Sequence, residues 1–420
     1  GVQTCALPIS MSIGITHGRT DIRAAPLTRR QWLALTAGSA TLGGCATPLG
    51  DAWQGSADLG VVIERAHGRV AIVNTSRPQV LGQIEGLGDL SHASVVFSRD
   101  GRYAYLFGRD GAMSKVDILQ RRLVGRVQQA GNSIGGAISA DGRFVAAQNY
   151  TPGGVKVFDA ETLALVADIP ADDGSGRLSR VVGLVDLPGQ RFACSLFDAG
   201  QIWVIDVSQP HRVQVQKFTD IGRQPYDALV TPNGRHYIAG LFGEDGLAMV
   251  DLWESPPRVR RILNGYGRGQ EPLPVYKMPH LRGWAVAGRR AYLPAIGRHE
   301  VLVVDTEYWQ EVGRIPVAGQ PVFVIARPDG RQVWVNFAVP DYDRVQVIDT
   351  QTQRIVKTLM PGKAVLHLEF TPRGESVWIS SRDDNRVTVV DTESLQEVSR
   401  LTLESPSGIF FTSRVARLGF

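Results

Sequence analysis

A short pattern recurs eight times along this chain, and it limits the possible folds more than any other feature. Each copy is an apolar strand that ends in an acidic or amide residue, and successive copies lie 42 to 54 residues apart. The copies end at Asn74, Asp117, Asp159, Asp206, Asp251, Asp305, Asp349 and Asp391. A repeat of this length suits a unit of four strands, which is the blade of a β-propeller. No long helical period of apolar residues competes with this interpretation.

Glycine-containing turns before the second strand of each unit support the same repeat. They follow Asp, Asn or Arg at Gly101, Gly142, Gly234, Gly330 and Gly374. Asp-Gly and Asn-Gly supply the positive φ that tight hairpins require. The pattern therefore predicts antiparallel hairpins within every unit.

The two ends of the repeat complement each other. The first unit begins with a second-strand pattern at 60–63, and residues 407–412 repeat the first-strand pattern after the eighth unit. Pairing these segments would close the ring and remove its open sheet edges. We therefore predict an all-β fold, an eight-bladed β-propeller closed by the C-terminal strand.

The N-terminal segment has the character of an export leader. Arg29 and Arg30 precede a short apolar stretch, and Leu-Gly-Gly-Cys at 42–45 matches the cleavage site before a lipid-modified cysteine. We expect a periplasmic protein, exported by the twin-arginine route and held to the membrane through a lipid on Cys45 alone. The expected organisation is a spurious extension at 1–10, a lipoprotein signal at 11–44, acylated Cys45, a linker at 46–58 and the propeller at 59–420.

Composition and missing motifs exclude several classes of function. A net charge of +4, from 45 basic and 41 acidic residues, is too balanced for a nucleic-acid-binding surface. Cys194 would be the one cysteine after the leader and its acylated Cys45, so we expect no disulfide, and the lack of Cys-x-x-Cys-His excludes covalent c-type haem. The absence of Gly-x-Gly-x-x-Gly argues against NAD or flavin. Any redox chemistry would need an electron acceptor that the chain does not hold.

Polar residues gather where the loops enter the innermost strands, at one mouth of the central channel. They are His92, Arg180, Tyr226, Asp227, His280, Gln320 and His367. Imidazoles, carboxylates, amides and guanidinium groups together fit a polar ligand with a metal or titratable centre. Each histidine alone is equally compatible with a structural hydrogen bond. Arg109 and the hairpin at Asn149 and Tyr150 are compatible with plain turns.

Five segments carry a resemblance to a known family. They are residues 88–111, 131–139, 241–246, 275–280 and 405–411, and the likeness covers about residues 58 to 420. The chain resembles the NirF family of haem d1 biosynthesis proteins. It is also similar to the haem d1 domain of cytochrome cd1 nitrite reductase, an eight-bladed propeller. Because the sequence holds no Cys-x-x-Cys-His, we expect no cytochrome c domain like that of the reductase and of the related biosynthesis protein NirN.

The resemblance implies roles for individual residues. His92 would ligate the haem d1 iron, and Arg109 and Arg180 would bind carboxylates of the tetrapyrrole. His280, with Tyr226 or Asp227, would form the catalytic distal side. The remaining expected cofactor-binding residues are Asn149, Tyr150 and Gln320.

The resemblance also implies a reaction and partners. Dihydro-haem d1 would be bound without a covalent link, and one propionate would be oxidised to an acrylate. The expected partners are cytochrome cd1 nitrite reductase and a NirN-type maturation protein. Two alternatives stay open: a non-catalytic carrier of haem d1, and a scaffold propeller without a ligand, which would have an apolar mouth.

Overall fold

The computed structural model describes residues 55–266, 284–295 and 298–416. The chain divides into two units, 1–53 and 54–420, and every described residue lies in the second. Within the described residues, 32 strands form eight antiparallel sheets of four. The prediction of an all-β, eight-bladed propeller is confirmed.

The strands have the following bounds. Those of the first half of the chain are β1 (Leu59–Glu64), β2 (Arg69–Asn74), β3 (Gln79–Ile84), β4 (Ser94–Phe97), β5 (Tyr103–Phe107), β6 (Ala112–Asp117), β7 (Arg122–Gln128), β8 (Asn132–Ile138), β9 (Phe144–Thr151), β10 (Gly153–Asp159), β11 (Leu165–Pro170), β12 (Val181–Leu187), β13 (Arg191–Leu196), β14 (Gln201–Asp206), β15 (Gln214–Phe218) and β16 (Pro225–Val230). Those of the second half are β17 (His236–Leu241), β18 (Leu247–Asp251), β19 (Val259–Ile262), β20 (Ala285–Ala287), β21 (Arg290–Pro294), β22 (Glu300–Asp305), β23 (Gln310–Pro316), β24 (Pro321–Ala326), β25 (Gln332–Phe337), β26 (Val345–Asp349), β27 (Arg354–Leu359), β28 (Val365–Phe370), β29 (Ser376–Ser381), β30 (Arg386–Asp391), β31 (Gln396–Thr402) and β32 (Pro406–Phe411). Short 3-10 helices occur at Ser56–Asp58, Pro210–Arg212, Arg382–Asp384 and Thr412–Ala416.

The ring closes between the two ends of the propeller. Strand β32 pairs antiparallel with β1, with Gly60 opposite Phe411 and Val62 opposite Ile409. The sheet order β3-β2-β1-β32 makes β32 the innermost strand of blade one. Blades two to eight each take four consecutive strands, starting with β4–β7. The predicted closure by the C-terminal strand is therefore confirmed.

The acidic or amide residue that ends each repeated strand forms a hydrogen bond with the turn that follows it. Every one of the eight repeated residues accepts a backbone N–H from the turn that leads to the fourth strand. Examples are Asn74 Oδ1 from Arg77 at 2.7 Å and Asp391 Oδ1 from Ser394 at 2.7 Å. Such a side-chain bond fixes the chain reversal without help from the rest of the fold. The repeat was visible in the sequence because each blade needs this bond at the same place.

The apolar core lies between neighbouring blades. Ile72 of blade one packs in one buried cluster with Leu106 and Val116 of blade two. Outermost strands have only one covered face, so β7 alternates between exposed and half-buried residues. Inner strands are covered on both faces, and β1 is buried throughout.

The antiparallel order of each blade sorts its connections onto two faces of the ring. One face carries the connections into each first strand and between the second and third strands, such as 85–93 and 108–111. We call this the mouth face. The Asp-Gly turns and the turns after the repeated acidic residues lie on the opposite face.

The predicted leader, with Cys45, lies outside the described residues. So does most of the predicted linker, of which only 55–58 are described. Within the described ranges, no helix is both long enough and apolar enough to cross a membrane.

Candidate functional site

Two tyrosines meet across the mouth face. Tyr150 lies at the end of β9 in blade three, and Tyr226 lies at the start of β16 in blade five. Their hydroxyl oxygens are 3.4 Å apart, with Tyr150 donating to Tyr226. Both side chains are half-buried. The structure therefore brings together two predicted residues that are 76 positions apart in the chain.

A glycine in blade four lets blade five, which carries Tyr226, approach closely. Gly183 in β12 has φ of +60°, and a Cβ there would lie 3.0 Å from the carbonyl oxygen of Tyr226 and 2.9 Å from the backbone nitrogen of Ala228. The pairing of β12 with β13 shifts register at this point. A side chain at Gly183 would therefore displace the strand that carries Tyr226.

Arg109 lies in the turn after β5 and contributes a positive charge to this group. It is half-buried, and its positive charge favours the ionised phenol of both Tyr150 and Tyr226. Its backbone N–H donates to the carbonyl of Asp89 at 2.8 Å. Among the residues that the structure describes, none forms a hydrogen bond or ion pair with the guanidinium group of Arg109. This cation is available to a ligand.

Burial keeps both phenols protonated despite the neighbouring arginine. It raises the pKa of Tyr150 above its usual range, and Tyr226 opposes ionisation further. Burial also raises the pKa of Tyr226. Both tyrosines are consequently hydrogen-bond donors at neutral pH rather than bases. Next to them, Asp227 is half-buried and its Oδ1 accepts the backbone N–H of Ala228 at 2.9 Å.

Arg180 is already paired, which the sequence did not indicate. Its Nε and Nη2 donate to Asp198 at 3.0 and 2.6 Å, and its guanidinium lies 4.3 Å above the ring of Phe197. A carboxylate ligand would therefore have to share Arg180 with Asp198. Phe197 also meets Tyr226 edge-on at 6.0 Å and Phe242 at 6.0 Å. These three rings form an aromatic wall beside Arg180, and sequence reasoning missed Phe197 and Phe242.

Two predicted cofactor-binding residues lie inside the blades. Asn149 is 1% exposed, and its carboxamide makes two reciprocal hydrogen bonds of 2.8 Å with Gln129. These bonds hold the side chain within the sheet, so we leave Asn149 out of the proposed site. Gln320 is buried directly before β24, and its carbonyl accepts the N–H of Ala338 at 2.9 Å.

The three histidines predicted at the mouth have different environments. His92 is exposed in the bend directly before β4. His367 lies within β28, where its Nδ1 accepts the N–H of Ile409 at 3.2 Å and its ring stacks on Phe410 at 5.5 Å. His367 therefore secures the closing strand. His280 lies outside the described residues, as does most of the predicted insertion at 264–279.

Comparisons with known proteins agree with this fold. The family model described as the cytochrome D1 heme domain matches residues 54–415. Protein NirF of Stutzerimonas stutzeri is 60% identical over 369 residues, covering 87% of this chain and 94% of that protein. Protein NirF of Pseudomonas aeruginosa is 59% identical over 368 residues, with the same coverage. The chain therefore belongs to the cytochrome d1 haem domain family and, within it, to the NirF proteins.

More distant relatives include an enzyme whose name states its activity. The dihydro-heme d1 dehydrogenase of Pseudomonas aeruginosa is 31% identical over 365 residues, covering 84% of this chain and 70% of that enzyme. The solved structure of dihydro-heme d1 dehydrogenase NirN in complex with DHE has a TM-score of 0.76 and 27% identity, covering 86% of this chain and 77% of that one. Apo AztD from Citrobacter koseri, with a TM-score of 0.58 and 11% identity, shares the fold alone.

Proposed function

We propose that this protein binds a haem d1-type tetrapyrrole at its mouth face and serves the maturation of haem d1. The observation that carries the proposal is the half-buried guanidinium of Arg109, which has no partner among the described residues, beside the protonated pair Tyr150 and Tyr226. One cation beside a hydroxyl pair in which Tyr150 donates to Tyr226 suits a carboxylate substituent of a large ring. Family membership and the named activity of the 31% identical relative favour this ligand over other carboxylates.

Each mouth residue then has a separate task. Arg109 binds a carboxylate, Tyr226 donates its hydroxyl hydrogen to the ligand, and Tyr150 orients Tyr226 by donating to it. The aromatic wall of Phe197, Tyr226 and Phe242 packs against the macrocycle. His92 ligates the iron of the substrate, because a neutral imidazole is a common axial ligand and this residue lies exposed at the mouth face.

The proposed reaction is the oxidation of one propionate of dihydro-haem d1 to an acrylate. Two vicinal C–H bonds break and a C=C bond forms, which releases two protons and two electrons. Asp227 or His280 takes the first proton, and an external two-electron acceptor takes the two electrons together with the second proton. Tyr226 is a hydrogen-bond donor in this scheme, since burial raises its pKa and disfavours the phenolate. Fixing the macrocycle by its carboxylates and iron positions the propionate beside the base.

A carrier of haem d1 is the second candidate function, and it uses the same mouth without a base. The observation in its favour is the bond between Asp227 Oδ1 and the backbone of Ala228, which occupies one carboxylate oxygen. A carrier would bind the finished cofactor and release it to cytochrome cd1 nitrite reductase or to a NirN-type protein.

Anaerobic incubation of the purified protein with dihydro-haem d1 and an artificial two-electron acceptor separates the two functions. A dehydrogenase converts the substrate over many turnovers, and Asp227→Asn slows conversion if Asp227 is the base. A carrier gives tight binding without conversion. If the protein neither binds nor converts the tetrapyrrole, the proposed function is wrong.

We also propose that the mature protein is a periplasmic lipoprotein, exported by the twin-arginine route and acylated at Cys45. The support is the Leu-Gly-Gly-Cys sequence at 42–45 behind the arginine pair. Mass spectrometry of membrane-derived protein should find a diacylglyceryl group on an N-terminal Cys45. A mature protein that begins at another residue would contradict this assignment.

A further inference from the structure

A buried pair of amides holds two segments of the mouth face together. Gln129 lies in the connection from β7 to β8, and Asn149 lies in β9 directly before Tyr150. Each carboxamide donates a hydrogen bond of 2.8 Å to the oxygen of the other. Gln129 is 5% exposed and Asn149 is 1% exposed, so water does not compete for these bonds. The pair therefore keeps the connection and the end of β9 at one separation.

The backbone of the same connection holds the turn that carries Arg109. The N–H groups of Gln129 and Ala130 donate to the carbonyl of Gly111 at 3.2 and 3.1 Å. Gly111 has φ of +80°, and a Cβ there would lie 2.1 Å from the carbonyl oxygen of Ala130. Because Gly111 has no side chain, the turn can lie directly against the connection.

A further contact fixes the other side of Tyr150. The N–H of Gly131 donates to the carbonyl of Thr151 at 2.7 Å. Tyr150 thus lies between Asn149 and Thr151, each of which is bonded to the connection. Gln129 is the residue that acts in both directions, because its backbone holds the turn after β5 and its side chain holds the end of β9.

Fold stability alone does not explain why this pair is polar. Two apolar side chains of the same shape would fill the space at little cost, because neither would leave a buried hydrogen-bonding group without a partner. Two reciprocal hydrogen bonds add direction to the contact, and a fully satisfied buried pair specifies one arrangement. A single arrangement matters at a binding site for a rigid ring, since the spacing of the ring's substituents cannot adjust to the protein.

We propose that Gln129 and Asn149 are positioning residues for the tetrapyrrole site. Their pair sets the spacing between Arg109 of blade two and Tyr150 of blade three, and it acts without touching the ligand. This inference rests on the proposed function. It adds that the affinity of the mouth depends on a contact buried inside the blades, which prepares the site before the ligand arrives.

Three variants and a control test the pair. Gln129→Met with Asn149→Leu gives an apolar pair of similar shape, and Asn149→Leu alone leaves the Gln129 amide without its partner. Gln129→Asn with Asn149→Gln exchanges the two amides and keeps their combined length. The matched control is Thr392→Val on the opposite face, which removes a buried hydroxyl that donates to the carbonyl of Gly374. The thermal transition of each ligand-free variant is recorded, and affinity for haem d1 is measured from the absorption spectrum well below every transition.

Stability and binding should respond differently to these changes. Asn149→Leu should lower both the melting temperature and the affinity. The apolar pair should melt close to the wild type but bind haem d1 roughly 10-fold more weakly, the lower end of the range for residues that orient the ligands of a site. The exchanged pair should bind more tightly than the apolar pair. Thr392→Val should lower the melting temperature and leave the affinity unchanged.

The variant Tyr150→Phe supplies a readout that a purely structural pair would not change. Loss of the hydroxyl that orients Tyr226 should weaken binding in the wild type, and it should weaken binding less in Asn149→Leu, where Tyr150 is no longer held at its spacing. Equal losses in the two backgrounds would contradict the inference. So would an exchanged pair that binds no better than Asn149→Leu.

Failure of this inference differs from failure of the proposed function. If the wild type and the apolar pair bind haem d1 equally well, the amide pair has a structural role only and the mouth remains the binding site. If the wild type does not bind haem d1, the proposed function itself is wrong.

Discussion

Among the single residues of this protein, arginine is by far the more common basic side chain. The sequence contains 39 arginines and 6 lysines, and most half-buried guanidinium groups are fixed by acidic partners. Arg102 with Asp117 and Arg235 with Asp251 are examples, at 2.9 and 2.6 Å. Arg65 and Arg109 are exceptions among the described residues, and both lie on the mouth face. An unpaired guanidinium at a shared mouth is a stronger indicator of a site than arginine content.

His92 gives the first prediction at this scale. His92→Ala should change the absorption spectrum of bound haem d1, because replacing an axial imidazole alters the electronic structure of the iron. Far-ultraviolet circular dichroism should stay as in the wild type, since His92 is exposed and outside any strand. His211→Ala, an exposed histidine on the opposite face, is the control. An unchanged d1 spectrum together with a lowered melting temperature would remove His92 from the site.

His367 gives a prediction for pH. Burial lowers its pKa to about 4, so the unfolded chain binds a proton between about pH 6.5 and pH 4 that the folded protein does not. The free energy of unfolding should therefore fall as pH decreases through this window, by up to about 3 kcal/mol, and level off below it. In His367→Asn the side-chain oxygen can still accept the N–H of Ile409 but cannot titrate. Denaturant titrations at pH 7 and pH 4 should show a smaller loss for this variant; an equal loss would contradict the assignment.

Individual elements differ in how far the sequence determines them. The turns of each blade were predictable, because Asp391 and Gly101 act on residues within four positions of themselves. The partners of Arg180 and His367 were not, because Asp198 and the backbone of Ile409 come from other strands. Sequence spacing predicts that a residue lies at the mouth, but it does not predict which residue of another strand will be its hydrogen-bond partner.

Arg99 should hold several elements together on the opposite face. Its guanidinium donates to the carbonyls of Ile138, Ser139 and Val415 and to Asp186, each at 3.0 Å through at least one nitrogen. Asp186 is 1% exposed. Arg99→Ala should lower the free energy of unfolding by about 3–5 kcal/mol, since it removes the guanidinium that pairs with a buried carboxylate.

The variant Asp186→Asn tests whether Arg99 stabilises the fold through its ion pair with Asp186. Combined with Arg99→Ala, it should recover part of the lost stability because no buried anion remains. If the double variant is as unstable as the sum of both single variants, the pair does not interact as described.

Strand β32 should be required for a cooperative fold. Deletion of residues 409–420 removes half of β32, exposes the edge of β1 and takes away the hydrogen bond from Ile409 to His367. Thermal unfolding should then broaden and shift to lower temperature. Deletion of 417–420 alone is the control, since it leaves every described contact of β32 intact. A sharp, wild-type transition after the longer deletion would contradict closure of the ring by this strand.

The whole molecule separates its structural and ligand-binding tasks between two faces. The opposite face carries short turns fixed by local hydrogen bonds, such as those of Asn74 and Asp391. The mouth face gathers tyrosines, aromatic rings and uncompensated cations from several blades. The eightfold sequence repeat predicts almost all of the turns on the opposite face. The arrangement of the mouth face depends on how different blades meet, so the sequence predicts which residue types lie there but not which partners they contact.

Titration of the purified protein with haem d1, followed through the absorption spectrum of the tetrapyrrole, tests the central claim most directly. The claim predicts saturable binding of one equivalent by the wild type, and an affinity roughly 10- to 100-fold lower for Arg109→Gln. Arg143→Gln, an exposed arginine in a turn on the opposite face, should bind like the wild type. Equal affinity of Arg109→Gln and the wild type, or no saturable binding by the wild type, would contradict the assignment of the mouth as the haem d1 site.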